Sequence, residues 1–213
     1  MQKILITGAN GLLGQKLVHL LANNPEIDLI ATARGKSRLS ISKGFSYEEM
    51  DLCNPAQIQE VIDKVRPDSI IHTAAMTNVD ICHQNPEDCW EANVTAVEYL
   101  IEQCQRHNIY LCHVSTDFVF DGENGPYQEE DQPAPISIYG KSKYEAELRV
   151  RASGLRWSII RTVLVYGIVP DMSRSNIILW VKSSLEKGQT IKVVSDQLRT
   201  PTLAEDLAIG CWL

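Results

Sequence analysis

The chain has 213 residues, enough for one large domain or for one domain with part of another. An apolar fraction of 44% supports a real core, and a net charge of -7 argues against non-specific binding to nucleic acid or an anionic membrane. No apolar stretch is long enough to span a bilayer; the best, around 157–169, is interrupted by Arg161.

Met1 leads directly into a strand pattern, so no leader peptide is expected. Lys3-Ile4-Leu5-Ile6-Thr7 has the short, apolar character of a buried parallel strand. It opens into Thr7-Gly8-Ala9-Asn10-Gly11-Leu12-Leu13-Gly14. In such a turn Gly8 permits the tight bend, Gly11 lets the backbone approach a phosphate, and Gly14 lets the helix predicted over 12–22 pack near the strand. Free N–H groups at that helix start would then face an anion. The spacing is Gly-x-x-Gly-x-x-Gly rather than Gly-x-Gly-x-x-Gly, and a ligand-free glycine turn could share it. The strand before it and the amphipathic helix after it favour a dinucleotide.

A second strand over 27–33 ends in Leu29-Ile30-Ala31-Thr32-Ala33-Arg34, without the carboxylate that holds the ribose 2′-OH in NAD sites. Arg34, followed by Lys36 and Arg38, suits a 2′-phosphate, so NADP(H) is the preferred cofactor and NAD(H) the lesser choice; a solvated basic turn is the bland reading. Another short β segment precedes Asp51-Leu52, which are placed to meet the adenine. Further strands are predicted at 69–74, 109–115, 157–165 and 191–194. Helices are predicted at 55–65, 88–106, 137–152, 173–187 and 203–212, with Asn54-Pro55 and Ser173 as helix starts. This alternation predicts an α/β fold: a Rossmann-type doubly wound parallel sheet with helices on both faces. The polar, proline-containing stretch 121–137 reads as a loop bordering the site.

Tyr139 and Lys143 lie four apart on a predicted helix and share a face. A phenol is a poor acid–base group at neutral pH, and a nearby ammonium together with an oxidised nicotinamide favours its ionisation. Ser115 and Thr116 end a strand, and alternation allows only one of them to face a ligand. Asp117 and Asp121 flank that end. His72 and His113 fall within strand patterns and are expected to be packed and satisfied. No two histidines have ligand spacing, so no metal site is predicted. The six cysteines read as reduced thiols of a cytoplasmic protein, and the spacing of Cys82 and Cys89 matches no redox device.

Taken together, Thr7–Gly14, Asp51-Leu52, Ala74 to Asp80, Asn93, Ser115 to Gly122, Tyr139–Lys143, Arg161-Thr162 with Val165-Tyr166-Gly167, and Asp196-Gln197 with Thr200-Pro201-Thr202 resemble the extended short-chain dehydrogenase/reductases. More narrowly they resemble the dTDP-4-dehydrorhamnose reductase branch. The resemblance implies a catalytic set of Thr116, Tyr139 and Lys143. It implies cofactor contacts from Gly8, Asn10, Gly11, Leu12, Leu13, Gly14, Asp51, Leu52, Ala74, Ala75, Met76 and Thr77, with Tyr139 and Lys143, and a substrate side of Val79, Thr116, Asp117, Phe118 and Leu164. The implied reaction is reduction of a 4-keto group on a nucleotide-linked deoxysugar. The implied partner is that small molecule; a homodimer is left open, and the net charge of -7 points away from nucleic acid and membrane.

The family has a tyrosine at the position of Phe118 and a tryptophan at that of Leu164, so the departures fall on the substrate side. A nicotinamide-binding domain is expected over 1–166, and the start of a substrate region with returning Rossmann elements over 167–213. The last helical pattern reaches Leu213 without a cap, which reads as a substrate region that continues. An epimerase or dehydratase of the same fold, or a non-catalytic NADP-binding regulatory subunit, are the competing readings.

Overall fold

The structure, a computed structural model, describes residues 1–170 and 176–213. Six strands form one parallel sheet: β1 (Gln2–Thr7), β2 (Ile27–Ala33), β3 (Ser46–Glu49), β4 (Ser69–His72), β5 (Tyr110–Thr116) and β6 (Trp157–Thr162). Their order is β3-β2-β1-β4-β5-β6, so the order reverses between β1 and β4. In an open sheet, ligands bind at the carboxyl ends of the strands beside such a reversal. The register sets Thr7 of β1 beside His72 of β4, and His72 beside His113 of β5.

The helices are α1 (Leu12–Leu21), α2 (Pro55–Val65), α3 (Val79–Gln84), α4 (Pro86–Trp90), α5 (Ala96–His107), α6 (Ile138–Ala152), α7 (Ile177–Glu186) and α8 (Ala204–Trp212). Ile58, Ile62, Leu100 and Cys104 of α2 and α5 pack on one sheet face with Leu5, Ile70 and Leu111. Leu17, Val18 and Leu21 of α1, with Leu207 and Ala208 of α8, cover the other with Ile4, Ile6 and Ile71. Local chemistry starts most of these helices. Asn54 accepts from the amides of Ala56 and Gln57, at 3.1 and 3.3 Å, with Pro55 in the first turn. Asn78 caps α3 and Ser137 caps α6 in the same way.

Several expectations are corrected. The run at 69–74 stops pairing at His72 because Thr73 turns its hydroxyl onto the Thr7 carbonyl, at 2.7 Å. The run at 157–165 ends at Thr162, and Leu164 adopts a φ of +43°, which breaks extended geometry. Residues 191–194 form no strand; Val193 and Val194 are exposed. The predicted helix start at Ser173 lies outside the described residues, and α7 is capped by Asn176. The short helix α3 has no counterpart in the sequence reading. The helix expected over 88–106 is interrupted by a π-helical turn, Glu91–Thr95, between α4 and α5.

Candidate active site

The glycine turn is crowded where it meets the fold and open where it meets solvent. Gly8 has a φ of +70°, and a Cβ there would lie 2.8 Å from the Ala74 amide nitrogen. A Cβ on Gly14 would lie 2.3 Å from the Gly8 carbonyl oxygen and 2.7 Å from the Ala9 Cα. Gly11 is exposed, and its Cβ would meet only the Gly8 oxygen, at 3.2 Å. Gly11 is also the N-cap of α1 and brings no side-chain cap, so the first-turn amides there suit an anion. Leu12 and Leu13 lie in that first turn, both half-buried.

Asn10 is 7% exposed, and its side chain is committed to the neighbouring loop. Its Oδ1 accepts from the Arg38 amide at 2.8 Å and its Nδ2 donates to the Lys36 carbonyl at 3.0 Å. Arg34 is exposed at the end of β2. A carboxylate missed by the sequence reading comes close from the next strand: Glu49 of β3 accepts from the Gly35 amide at 3.1 Å. Asp51 uses one carboxylate oxygen to accept from the Cys53 amide, at 3.0 Å, and Leu52 leans on the core under α2. Arg34, Asp51 and Glu91 all act on the Cys53 thiol, so the ends of β2 and β3 and the π turn converge here.

From Gly8 the contacts run through Ala74 to the loop 73–78, which carries Ala75, Met76 and Thr77. Asn93, on the inner side of the π turn, accepts from the Met76 amide at 2.8 Å and donates to the Met76 carbonyl and to Ser142 Oγ, both at 3.0 Å. This one buried amide therefore ties the loop 73–78 to α6, the helix of Tyr139 and Lys143. In the sequence Asn93 stands out only within the family resemblance. Its available signal was a polar, short side chain in the middle of an otherwise helical run.

At the end of β5 the alternation resolves in favour of Thr116. Its side chain favours ionisation of the Tyr139 phenol and its hydroxyl donates to Asp117 Oδ1 at 3.1 Å, whereas the Ser115 Oγ finds no partner among the described residues. Tyr139 packs with Cys82 and Cys89, against Met76, Val79, Phe118 and Ile138. The Phe118 ring meets the Tyr139 ring edge-on, with centroids 5.7 Å apart. Burial pushes the phenol up to about 12, and Thr116 opposes that shift. Burial thus favours the protonated phenol in this structure. Cys82 and Cys89 are buried in the same cluster, Cys82 donating to the Met76 carbonyl at 3.5 Å and Cys89 meeting Ser142 Oγ at 3.6 Å.

Asp117 is raised by burial and opposed by Arg199, whose Nη1 lies 3.3 Å from Asp117 Oδ2 and whose guanidinium stands 4.7 Å over the Phe118 ring. Arg199, which no local pattern singles out, thus meets two of the residues expected on the substrate side. Leu164 lies beyond β6, next to Val163, whose carbonyl accepts from the Thr202 amide at 3.1 Å.

Lys143 is 2% exposed and points into the sheet, with Nζ 3.2 Å from His113 Nε2. Desolvation brings its ammonium down to about 8, against Glu147 and Cys89, which favour the charge. Glu147 is bound by Arg161 through two contacts of 3.0 and 2.7 Å. His72 and His113 are packed as expected, but they are not satisfied: His72 Nε2 and His113 Nδ1 have no partner among the described residues. A cavity of about 230 Å³ opens at the other end of the strands, beside Gln2, Asp68 and Trp212, away from all of these groups.

Comparison with known proteins identifies the family of the fold. The RmlD substrate binding domain profile matches residues 1–212. The dTDP-4-dehydrorhamnose reductase of Aggregatibacter actinomycetemcomitans is 34% identical over 209 residues, covering 98% of this chain and 65% of that protein. The chain therefore spans slightly less than two thirds of that relative. The methionine adenosyltransferase 2 subunit beta of Bos taurus is 30% identical, over 99% of this chain and 61% of the subunit. Among solved structures, the Bacillus anthracis dTDP-4-dehydrorhamnose reductase in complex with NADP superposes with a TM-score of 0.82 at 31% identity, covering 99% of this chain and 69% of that one.

Proposed function

The chain belongs to the RmlD substrate-binding domain family, and from that premise we propose that it is the cofactor-binding and catalytic part of an NADP(H)-dependent reductase of nucleotide-linked 4-keto sugars. The observation that carries this reading is the placement of Thr116 and Tyr139 at the carboxyl end of β5. They are joined through Asn93 and the loop 73–78 to a glycine turn whose outer edge is open. The similarity to a reductase that binds NADP supports the same cofactor here.

The fit to a dinucleotide rests on the exposed edge at Gly11, in a turn that Gly8 and Gly14 hold tight against the fold, and on the uncapped start of α1. Leu12, Leu13, Ala74, Ala75, Met76 and Thr77 would line the pyrophosphate and nicotinamide side; Arg34, Asp51 and Leu52 would line the adenine side. NADPH, when bound, supplies the hydride. Tyr139, kept protonated by its burial, gives its phenolic proton to the carbonyl oxygen as charge develops there, and the Thr116 hydroxyl orients that oxygen. Lys143, one helical turn from Tyr139, has ammonium donors beyond the one given to His113, and with these it stabilises the phenolate left behind and holds the nicotinamide ribose. Val79, Asp117, Phe118 and Leu164 border the sugar.

The decisive test is Tyr139→Phe, assayed with NADPH and a dTDP-4-keto-6-deoxyhexose. Turnover falls by about 10²–10⁴-fold while NADPH affinity stays within roughly threefold, because the ring still packs and only the proton is lost. Wild-type turnover in this variant would assign the proton to another group.

A second reading, a non-catalytic NADP-binding regulatory subunit, is favoured by the similarity to a methionine adenosyltransferase subunit and by the Phe118 and Leu164 replacements. It predicts tight NADPH binding with no keto-sugar reduction by the wild-type chain.

A further inference from the structure

Beneath the Thr116–Tyr139 pair, the three central strands gather polar groups that the proposed chemistry leaves unused. His72 and His113 are 1% and 0% exposed and stack with ring centroids 5.3 Å apart and planes 26° from parallel. Thr7 Oγ1 and His72 Nδ1 share a hydrogen bond of 2.7 Å, which ties this ring to β1. The other ring meets Lys143 through Nε2 at 3.2 Å. An ammonium has donors only, so the nitrogen that faces it must offer its lone pair. His113 is then neutral, with its proton on Nδ1. Burial and the nearby ammonium both hold it in that neutral form, and they bring His72 down to about 3.

The titratable groups that face Lys143 are Glu147 and Tyr139 on its own helix, Cys89 on α4, His113 on β5 and His72 on β4. Glu147 gives both carboxylate oxygens to Arg161. Tyr139 is a neutral phenol and Cys89 a buried thiol. Among the described residues, the acceptor that meets Nζ is the His113 ring.

We propose that His113 is a positioning residue, which accepts a hydrogen bond from Lys143 Nζ and so keeps that lysine charged and aimed for cofactor binding, with stacked His72 fixing its ring. This rests on the cofactor reading above. The consequence is an alkaline limit to NADPH binding governed by a side chain that never touches the nucleotide. Losing the acceptor leaves the ammonium equally dry but with one hydrogen bond fewer, so Lys143 gives up its proton at lower pH.

The test follows Lys143 Nζ by NMR titration of selectively labelled protein, alongside NADPH affinity from pH 6 to 9.5. In His113→Leu the lysine midpoint drops by about one unit, and NADPH binding weakens about eightfold near pH 8.5 but less than about twofold near pH 6. His113→Gln, whose amide oxygen reaches the same place, restores both to within about threefold of wild type. A general structural defect would weaken binding equally at all pH values and would not be rescued by Gln. If the Leu variant does not fold, the ¹⁵N spectrum of wild-type His113 decides: a proton on Nδ1 supports the proposal, and a proton on Nε2 overturns it. An unmoved lysine midpoint in His113→Leu also overturns it. If the wild-type chain binds no NADPH at any pH, the cofactor reading falls, while the Nζ titration still determines whether His113 governs the lysine.

Discussion

Two alanine substitutions three residues apart should separate the glycine turn's role in folding from its role in binding. At Gly14 the added Cβ would sit 2.3 Å from the Gly8 carbonyl oxygen and 2.7 Å from the Ala9 Cα. Both are backbone atoms, so no side chain can swing away, and α1 must lift from the turn. Overpacking of this kind costs about 1–3 kcal/mol where side chains can yield, and the upper end or beyond applies where they cannot. In a chain of this size about 3 kcal/mol lowers Tm by roughly 6–12 °C.

At Gly11 the backbone is extended, with φ -79° and ψ 170°, and the added Cβ meets one atom at 3.2 Å. Alanine is a poorer N-cap than glycine by a few tenths to about 1 kcal/mol, but it also reduces the entropy of the unfolded chain by a similar amount. Gly11→Ala should therefore melt within about 3 °C of wild type. Its methyl would stand on the exposed edge of the turn, where a pyrophosphate would approach. Displacing one charge-assisted contact costs about 1.5–3 kcal/mol, or roughly 10- to 150-fold in affinity. The assay pairs calorimetric NADPH binding with thermal melting. A Gly11→Ala protein that melts normally and binds NADPH at wild-type affinity would refute the assignment of this edge to the pyrophosphate.

Other expectations concern cofactor choice and pH. Arg34→Asp should flatten or reverse the preference for NADPH over NADH, and equal affinity for the two in wild type, measured by calorimetry, would remove the basis for that preference. His72 stays neutral when folded down to about pH 3 and His113 is also strongly lowered, whereas both titrate near 6.5 when unfolded. Between those values the unfolded state binds more protons, so stability falls as pH drops below 6.5, by up to about 1.4 kcal/mol per pH unit for each ring. His72→Phe should lessen the slope of the urea midpoint against pH between 6.5 and 4.5; an unchanged slope would show that this imidazole is not held neutral.

What could be read from the residues alone was local. The β1–glycine turn–α1 unit and the Asn54-Pro55 start of α2 are each written within a few neighbouring residues, and the structure has them where they were expected. The choice of Thr116 over Ser115 needed the pairing of β5 with α6, which no local pattern carries. Residues 191–194 misled because two adjacent valines look like strand, yet no sheet edge receives them. The half-satisfied state of His72 and His113 was illegible because it depends on register: only the parallel pairing of β4 with β5 sets the two rings side by side. Glu49 and Arg199 were missed for the same reason, since each reaches its contact from an element distant in sequence.

The π turn at Glu91–Thr95 gives the rod from α4 to α5 two independent phases. Ahead of it, Cys89 turns toward the phenol; within it, Asn93 binds Met76 and Ser142; beyond it, Val97, Leu100 and Cys104 face the sheet. A regular α-helix advances about 100° per residue and could not keep both halves in register with their targets. Shortening this segment by a single residue would leave the core half docked and swing the Asn93 amide away from the loop it holds. The extra residue thus works as a splice between two surfaces. The packing half keeps its contacts with the sheet while the site half keeps its own with the Tyr139 helix.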